Sequence, residues 1–202
     1  MKKLLLAIPC LLLLLTATAQ NTISKQERKA AINALKESEK SLEKAAEKLS
    51  PAQLAFEPAA DVWGVGDCVK HLAAAEGGLR KMLDQTLASA PNPEKRSEVK
   101  VTDEAFVAMI TSREKKVKTA GPMEPKNTSY KSEEEAMDAF EDQRADLIKL
   151  VKSTNSDLRN HIVQMPFGSI DAYQLILMIA AHTNRHIAQI NEVKANASYP
   201  AK

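Results

Sequence analysis

Apolar residues recur at intervals of three, four and seven along four long stretches of this chain, the period of one face of an α-helix. In the first stretch the stripe is Ile32, Leu35, Leu42, Ala45 and Leu49, which predicts a helix over about residues 24–48. Val69, Leu72, Leu79 and Leu83 predict a second over 65–88, and Met137, Phe140, Leu147 and Val151 a third over 132–154. Leu175, Ile179, His182, His186, Ile190 and Val193 predict a fourth over 171–196. Strand-like alternation is not evident. Alanine, leucine, lysine and glutamate dominate, with only 6 glycines and few aromatics. Four amphipathic helices that must each bury one face make an all-α four-helix bundle the expected architecture.

The connections carry their own signals. Ser50-Pro51 reads as an N-cap followed by proline at the first helical position, so a short helical turn should follow the first helix. Residues 89–101 hold Pro91, Pro93 and a run of charges and read as an exposed link. Thr102 should cap an additional helix through about residue 117, placing an extra helix in the connection between the second and third long helices. That connection is long enough to cross the bundle. Residues 156–169, with Pro166 and Gly168, read as irregular.

Residues 1–19 precede the domain. Lys2 and Lys3 lead an apolar run, Leu4 to Leu15, and Thr16-Ala17-Thr18-Ala19 follows before Gln20, the order of a cleaved secretory signal. The run is too short to span a bilayer, and Ile8-Pro9 before Cys10 do not fit a lipoprotein site. The expectation is a signal peptide over 1–19 and one bundle domain over 20–202, exported to the periplasm or secreted, with no stable membrane anchor after cleavage. Of 28 basic and 26 acidic residues, Lys2 and Lys3 fall in the leader, so the remainder is neutral. A neutral chain without a basic block argues against nucleic acid as a partner. A small-molecule substrate and a second copy of the chain, as a homodimer, are the partners left open. Cys68 is the one cysteine outside the leader, so no intrachain disulfide can form there.

His182 and His186 stand four apart on the apolar stripe of the fourth helix, so both rings point inward one turn apart and could grip one ion. Packing histidines would show the same spacing. His71, early in the second helix and followed by Leu72-Ala73-Ala74-Ala75, could add a third nitrogen from a neighbouring helix, or could simply be packed. Gln189, three after His186, could orient a ligand or lie on the surface. Arg144 lies on the apolar stripe of the third helix and could bind a substrate carboxylate or phosphate, or make an internal ion pair. Cys68, three before His71, is either a packed thiol or a soft ligand. His161 falls outside every stripe and reads as a surface or packing residue.

Two motifs add a resemblance. The segment from Trp63 to Leu72 (WGVGDCVKHL) and the segment from Ala181 to Ile190 (AHTNRHIAQI) are similar, in order and separation, to the tryptophan-led second helix and the closing H-x-x-x-H-x-x-Q motif of the DinB family. Ser50-Pro51-Ala52-Gln53-Leu54 resembles that family's lead-in. The resemblance covers roughly residues 24–196. It implies a bundle of up-down-down-up topology and a divalent metal ion, often zinc or nickel, held by His71, His182 and His186. Members of known activity include thiol S-transferases and metal-dependent hydrolases, and many members have none known; hydrolysis of a small-molecule substrate is the expectation, with thiol S-transfer or a binding module without turnover as the alternatives. A leader peptide weighs against thiol transfer, whose low-molecular-weight thiols are chiefly cytoplasmic. Gly64 stands where the family usually has a serine or threonine cap, which leaves the start of the second helix open. No general base is evident: Glu76 falls five after His71, off its face, and Glu192 six after His186. With the ordinary imidazole pKa of about 6.5, protons should displace the ion as the pH falls below neutrality.

Overall fold

The computed structural model describes residues 22–115, 119 and 121–201; the leader expected over 1–19 lies outside them. Four long helices form the bundle: α1 (Lys25–Ala46), α3 (Val65–Ala88), α5 (Glu133–Ser153) and α6 (Ala172–Lys194). Between them lie the short α2 (Pro51–Leu54), α4 (Asp103–Thr111) and a two-stranded antiparallel hairpin, β1 (Ile162–Met165) and β2 (Gly168–Asp171). Among the described residues, three short 3₁₀ turns lie in the connection between α3 and α5.

Side chains the sequence supplies at each start fix where the helices begin. Ser24 accepts from the Glu27 amide while Glu27 accepts from that of Ser24, and Ser50 and Gln53 repeat the arrangement at α2. Thr102, Ser132 and Asp171 cap α4, α5 and α6. Two sequence expectations need correction. α1 stops at Ala46, because Glu47 is extended and Lys48 takes a left-handed φ of 56°. α4 stops at Thr111, where Ser112 turns extended, instead of running on to 117.

Contacts at the helix ends define direction. Tyr173 at the start of α6 donates to the Glu27 carbonyl at the start of α1, and Lys194 at the end of α6 donates to the Ala45 carbonyl at the end of α1, so these two run parallel. Arg28 in α1 donates to the Thr154 carbonyl beyond the end of α5, so α5 runs against α1. Lys70 near the start of α3 pairs with Glu133 at the start of α5, so α3 and α5 run together. The order is up, down, down, up. α1 packs on α5 and α6, α3 also packs on α5 and α6, and α4 lies along α6.

Two apolar clusters fill the bundle. One holds Leu35, Leu79, Leu83, Leu147 and Ile176; the other holds Leu42, Cys68, Leu72, Phe140 and Ile190. Between them runs a polar layer centred on Arg144, which is fully buried. Arg144 donates from Nε and Nη2 to the two carboxylate oxygens of Glu76 at 2.7 and 2.9 Å. It also donates to the Leu35 carbonyl, Ser38 Oγ and Thr183 Oγ1. All five guanidinium N–H groups are thereby used, on acceptors from α1, α3 and α6.

The hairpin is a feature the sequence reading misses, since residues 156–169 read as irregular. Its strands are four residues each, too short to set up a period. The turn closes on Gly168 at a φ of +127°, a conformation that favours glycine. Asn92 holds β1 to the link after α3, its side chain bonding both the N–H and the carbonyl of Ile162.

Candidate metal centre

α3 begins at Val65 with Gly64 as its N-cap, which answers the question the missing serine or threonine raised. A Cβ at position 64 would lie 2.3 Å from the Phe56 carbonyl oxygen, so only glycine fits against the turn that precedes it. Asp67 supplies the reciprocal half of the cap by accepting from the Gly64 amide at 3.1 Å. This start places His71 two turns into α3, with its ring 4.8 Å from that of Trp63. Trp63 also stacks on the His186 ring, 5.9 Å away.

The fold brings all three sequence-predicted histidines together. His71 Nε2 lies 3.3 Å from His182 Nε2, and His186 Nε2 lies 3.1 Å from the same atom. The three candidate ligand atoms all fall within 4.8 Å of one another. His71 and His186 are buried, while His182 keeps some exposed surface, which gives the cluster a side from which it can be approached.

Hydrogen bonds on the far side of two rings decide which nitrogens offer lone pairs. His71 Nδ1 donates to the Met123 carbonyl at 2.7 Å. His186 Nδ1 lies 3.1 Å from Gln189 Oε1, and that oxygen also accepts from Arg113 Nη1 at 3.1 Å. With Nδ1 protonated on both rings, both Nε2 atoms carry a lone pair. His182 Nε2 faces the two of them and could donate to only one. Buried lone pairs that converge repel unless a cation sits among them. A tetrahedral ion with nitrogen ligands at 2.0–2.1 Å holds them about 3.3 Å apart, close to the separations of His71 and His186 Nε2 from His182 Nε2. The donor set therefore fits a divalent ion.

The electrostatics agree with neutral rings. Burial lowers the pKa of His71 below its ordinary value, partly opposed by its bond to the Met123 carbonyl. Burial, with the His71 and Arg185 charges behind it, pushes His182 down to about 3. His186 falls well below the ordinary value from burial first, then from His182, His71, Arg113 and Arg185. Neutral imidazole is the form that ligates metal.

The remaining predicted residues take different places. Gln189 touches His186, as above. Arg144 is sealed in the polar layer with every donor used, so it is not placed to meet a substrate. Glu76 is its ion-pair partner, and Glu192 is gripped by Arg113 at 2.8 Å. Cys68 is buried, and burial raises its thiol pKa far above the ordinary range, which keeps it protonated and inert. His161 is buried, not on the surface, with its ring nitrogens against the Asp157 and Ser89 carbonyls. Sequence reasoning did not identify Arg113 or the Met123 carbonyl. Arg113 falls inside the helix expected through about residue 117 and Met123 beyond it, and no apolar stripe marks either.

The sequence matches the pattern of the DinB superfamily over residues 34–190. The chain belongs to the DinB superfamily. Within reach of this DinB superfamily chain is YuaE of Bacillus subtilis (strain 168), an uncharacterized protein 24% identical over 148 residues, which covers 72% of this chain and 86% of YuaE. The fold resembles that of YfiT from Bacillus subtilis, a probable metal-dependent hydrolase with an unusual four-helix bundle topology. The TM-score is 0.60 at 17% identity, covering 89% of this chain and 92% of YfiT. The up-down-down-up order found above is the one that the resemblance of the two motifs to the DinB family implied.

Proposed function

We propose that the protein holds one divalent metal ion, zinc or nickel, on His71, His182 and His186, and uses it to hydrolyse a small-molecule substrate. The observation that carries this reading is the convergence of three imidazole Nε2 atoms, two of them turned inward by hydrogen bonds on Nδ1. When bound, a divalent ion there supplies a Lewis acid for polarising a carbonyl or water. The chain's own contribution is to present neutral rings and to fix their tautomers through Met123 and Gln189. Trp63, lying against His71 and His186, shields that side of the centre with an apolar face.

One observation favours a second reading, a metal-holding protein without turnover. Glu76 and Glu192, the two carboxylates considered as a general base, are each held by an arginine. Elemental analysis of the purified protein should find one divalent ion per chain, sharply reduced in each of His71→Ala, His182→Ala and His186→Ala. Full occupancy in all three variants would reject the site. A screen of esters, amides, lactones and thiol-transfer substrates, against metal-free protein, then separates hydrolase from binding protein.

We also propose that the chain acts outside the cytoplasm, on the strength of the charged, apolar and small-residue order of residues 1–19. Among the described residues no helix is long and apolar enough to cross a membrane. Intact-mass measurement of the exported form should give a chain beginning at Gln20; a retained leader would reject this.

A further inference from the structure

Arg113 sits just beyond α4, far in sequence from all three histidines, and reaches across to α6. Its Nε and Nη2 grip the two Glu192 carboxylate oxygens at 3.2 and 2.8 Å, which fixes the plane of the guanidinium. Its Nη1 is thereby aimed at Gln189 Oε1, 3.1 Å away, the oxygen that faces His186 Nδ1. A glutamine amide is nearly symmetric in shape and has two orientations. With the oxygen toward His186, the ring carries its proton on Nδ1 and offers the Nε2 lone pair. With the NH₂ toward His186, Nδ1 must accept, the proton moves to Nε2, and the ring turns a donor toward His182. A guanidinium only donates, so beside Arg113 only the first orientation satisfies both neighbours.

We propose that Arg113 is a positioning residue for the histidine centre: by holding Gln189 Oε1 it selects the tautomer of His186 that presents Nε2. His71 is set the same way, through the Met123 carbonyl. Both settings therefore come from the one connection between α3 and α5, which reads in the sequence as a crossover link. The consequence for metal affinity rests on the function proposed above; the choice of tautomer does not.

Long-range ¹H–¹⁵N spectra of the metal-free protein report which ring nitrogen carries the proton. His71 and His186 should both be protonated on Nδ1. Arg113→Met should move His186 to a mixture or to Nε2 while leaving His71 unchanged, so His71 is an internal control for folding. A carboxylate can only accept, so Gln189→Glu should make the His186 tautomer insensitive to Arg113→Met. Zinc titration should show affinity reduced about 10- to 100-fold by Arg113→Met alone, and little changed by the same substitution in the Gln189→Glu background. An arginine that only braces the link would weaken binding equally in both backgrounds, which would overturn the proposal. So would a His186 tautomer unmoved by Arg113→Met, or one protonated on Nε2 in the unsubstituted protein. If the tautomers respond as stated but the unsubstituted protein takes up no zinc, the metal reading fails and the positioning role stands.

Discussion

Each histidine of the centre changes the pH dependence of the protein because each is held neutral. The folded pKa values lie below the ordinary value, with His182 at about 3, while the unfolded chain titrates near 6.5. Below about pH 6.5 the unfolded state therefore binds more protons than the native state. Stability is full above that pH and is lost as it falls, by up to about 1.4 kcal/mol per pH unit for each such ring. Glu27, Asp103 and Glu133 are also depressed, by bonds to Ser24, Arg159, Gln174 and Lys70 that outweigh burial, but their contribution is lost only lower, through the carboxylate range. Metal-free protein should thus lose melting temperature between pH 7 and 5, and His182→Gln should lose less over the same interval. Because protons compete poorly for the native rings, the extra stability conferred by zinc should persist as the pH falls below about 6.5. The ordinary imidazole pKa would instead have it fade from 6.5. Paired melts with and without zinc decide between them, and a gap that closes between pH 7 and 6 would contradict the buried-ring account. The three histidines themselves were legible in the sequence: a spacing of four on an apolar stripe places two, and a motif adds the third. Arg113 and Met123 were not, because what they do depends on where an irregular link crosses the bundle.

At the scale of the elements, legibility followed length. Stripes of twenty or so residues define α1, α3, α5 and α6 to within a few residues of where they lie. Four-residue strands and the end of α4 depend on tertiary contacts that no local pattern encodes. The hairpin, unseen in the sequence, delivers the chain into α6 at Asp171. That residue is fully buried, caps Gln174 at 2.7 Å and accepts from Arg159 at 3.0 Å and from Arg96. Arg159 also reaches Glu27 and Asp103, so one cluster joins the starts of α1, α4 and α6. Asp171→Ala removes a cap, ordinarily about 1 kcal/mol, and charged hydrogen bonds of about 1.5–3 kcal/mol. Urea unfolding should show a loss of at least about 2 kcal/mol, whereas Ser132→Ala, a cap without those partners, should cost about 1 kcal/mol. Equal losses would mean that the cluster adds nothing to the cap.

For the whole molecule, the layer of Arg144 and Glu76 sets a buried ion pair between the two apolar clusters of the bundle. Removing one partner strands the other, so Arg144→Met should destabilise by about 3–5 kcal/mol, and Arg144→Met with Glu76→Met by much less. Denaturant melts of the two variants test this; a double variant no more stable than the single would refute it. The layer's larger effect concerns alignment. Stripes of alanine and leucine are nearly as well satisfied when one helix slides a turn along its neighbours, a shift of about 5.4 Å. Such a slip would carry the guanidinium away from its acceptors on three helices, and would carry His71 past His182, whose nitrogens now stand 3.3 Å apart. The ion pair thus excludes sliding that oily side chains alone would tolerate, and it holds the two halves of the histidine cluster level through Glu76, five residues after His71, and Thr183, next to His182. The doubly apolar variant is accordingly expected to be folded yet to give several sets of histidine signals in place of one, a molecule that has kept its shape and lost its register.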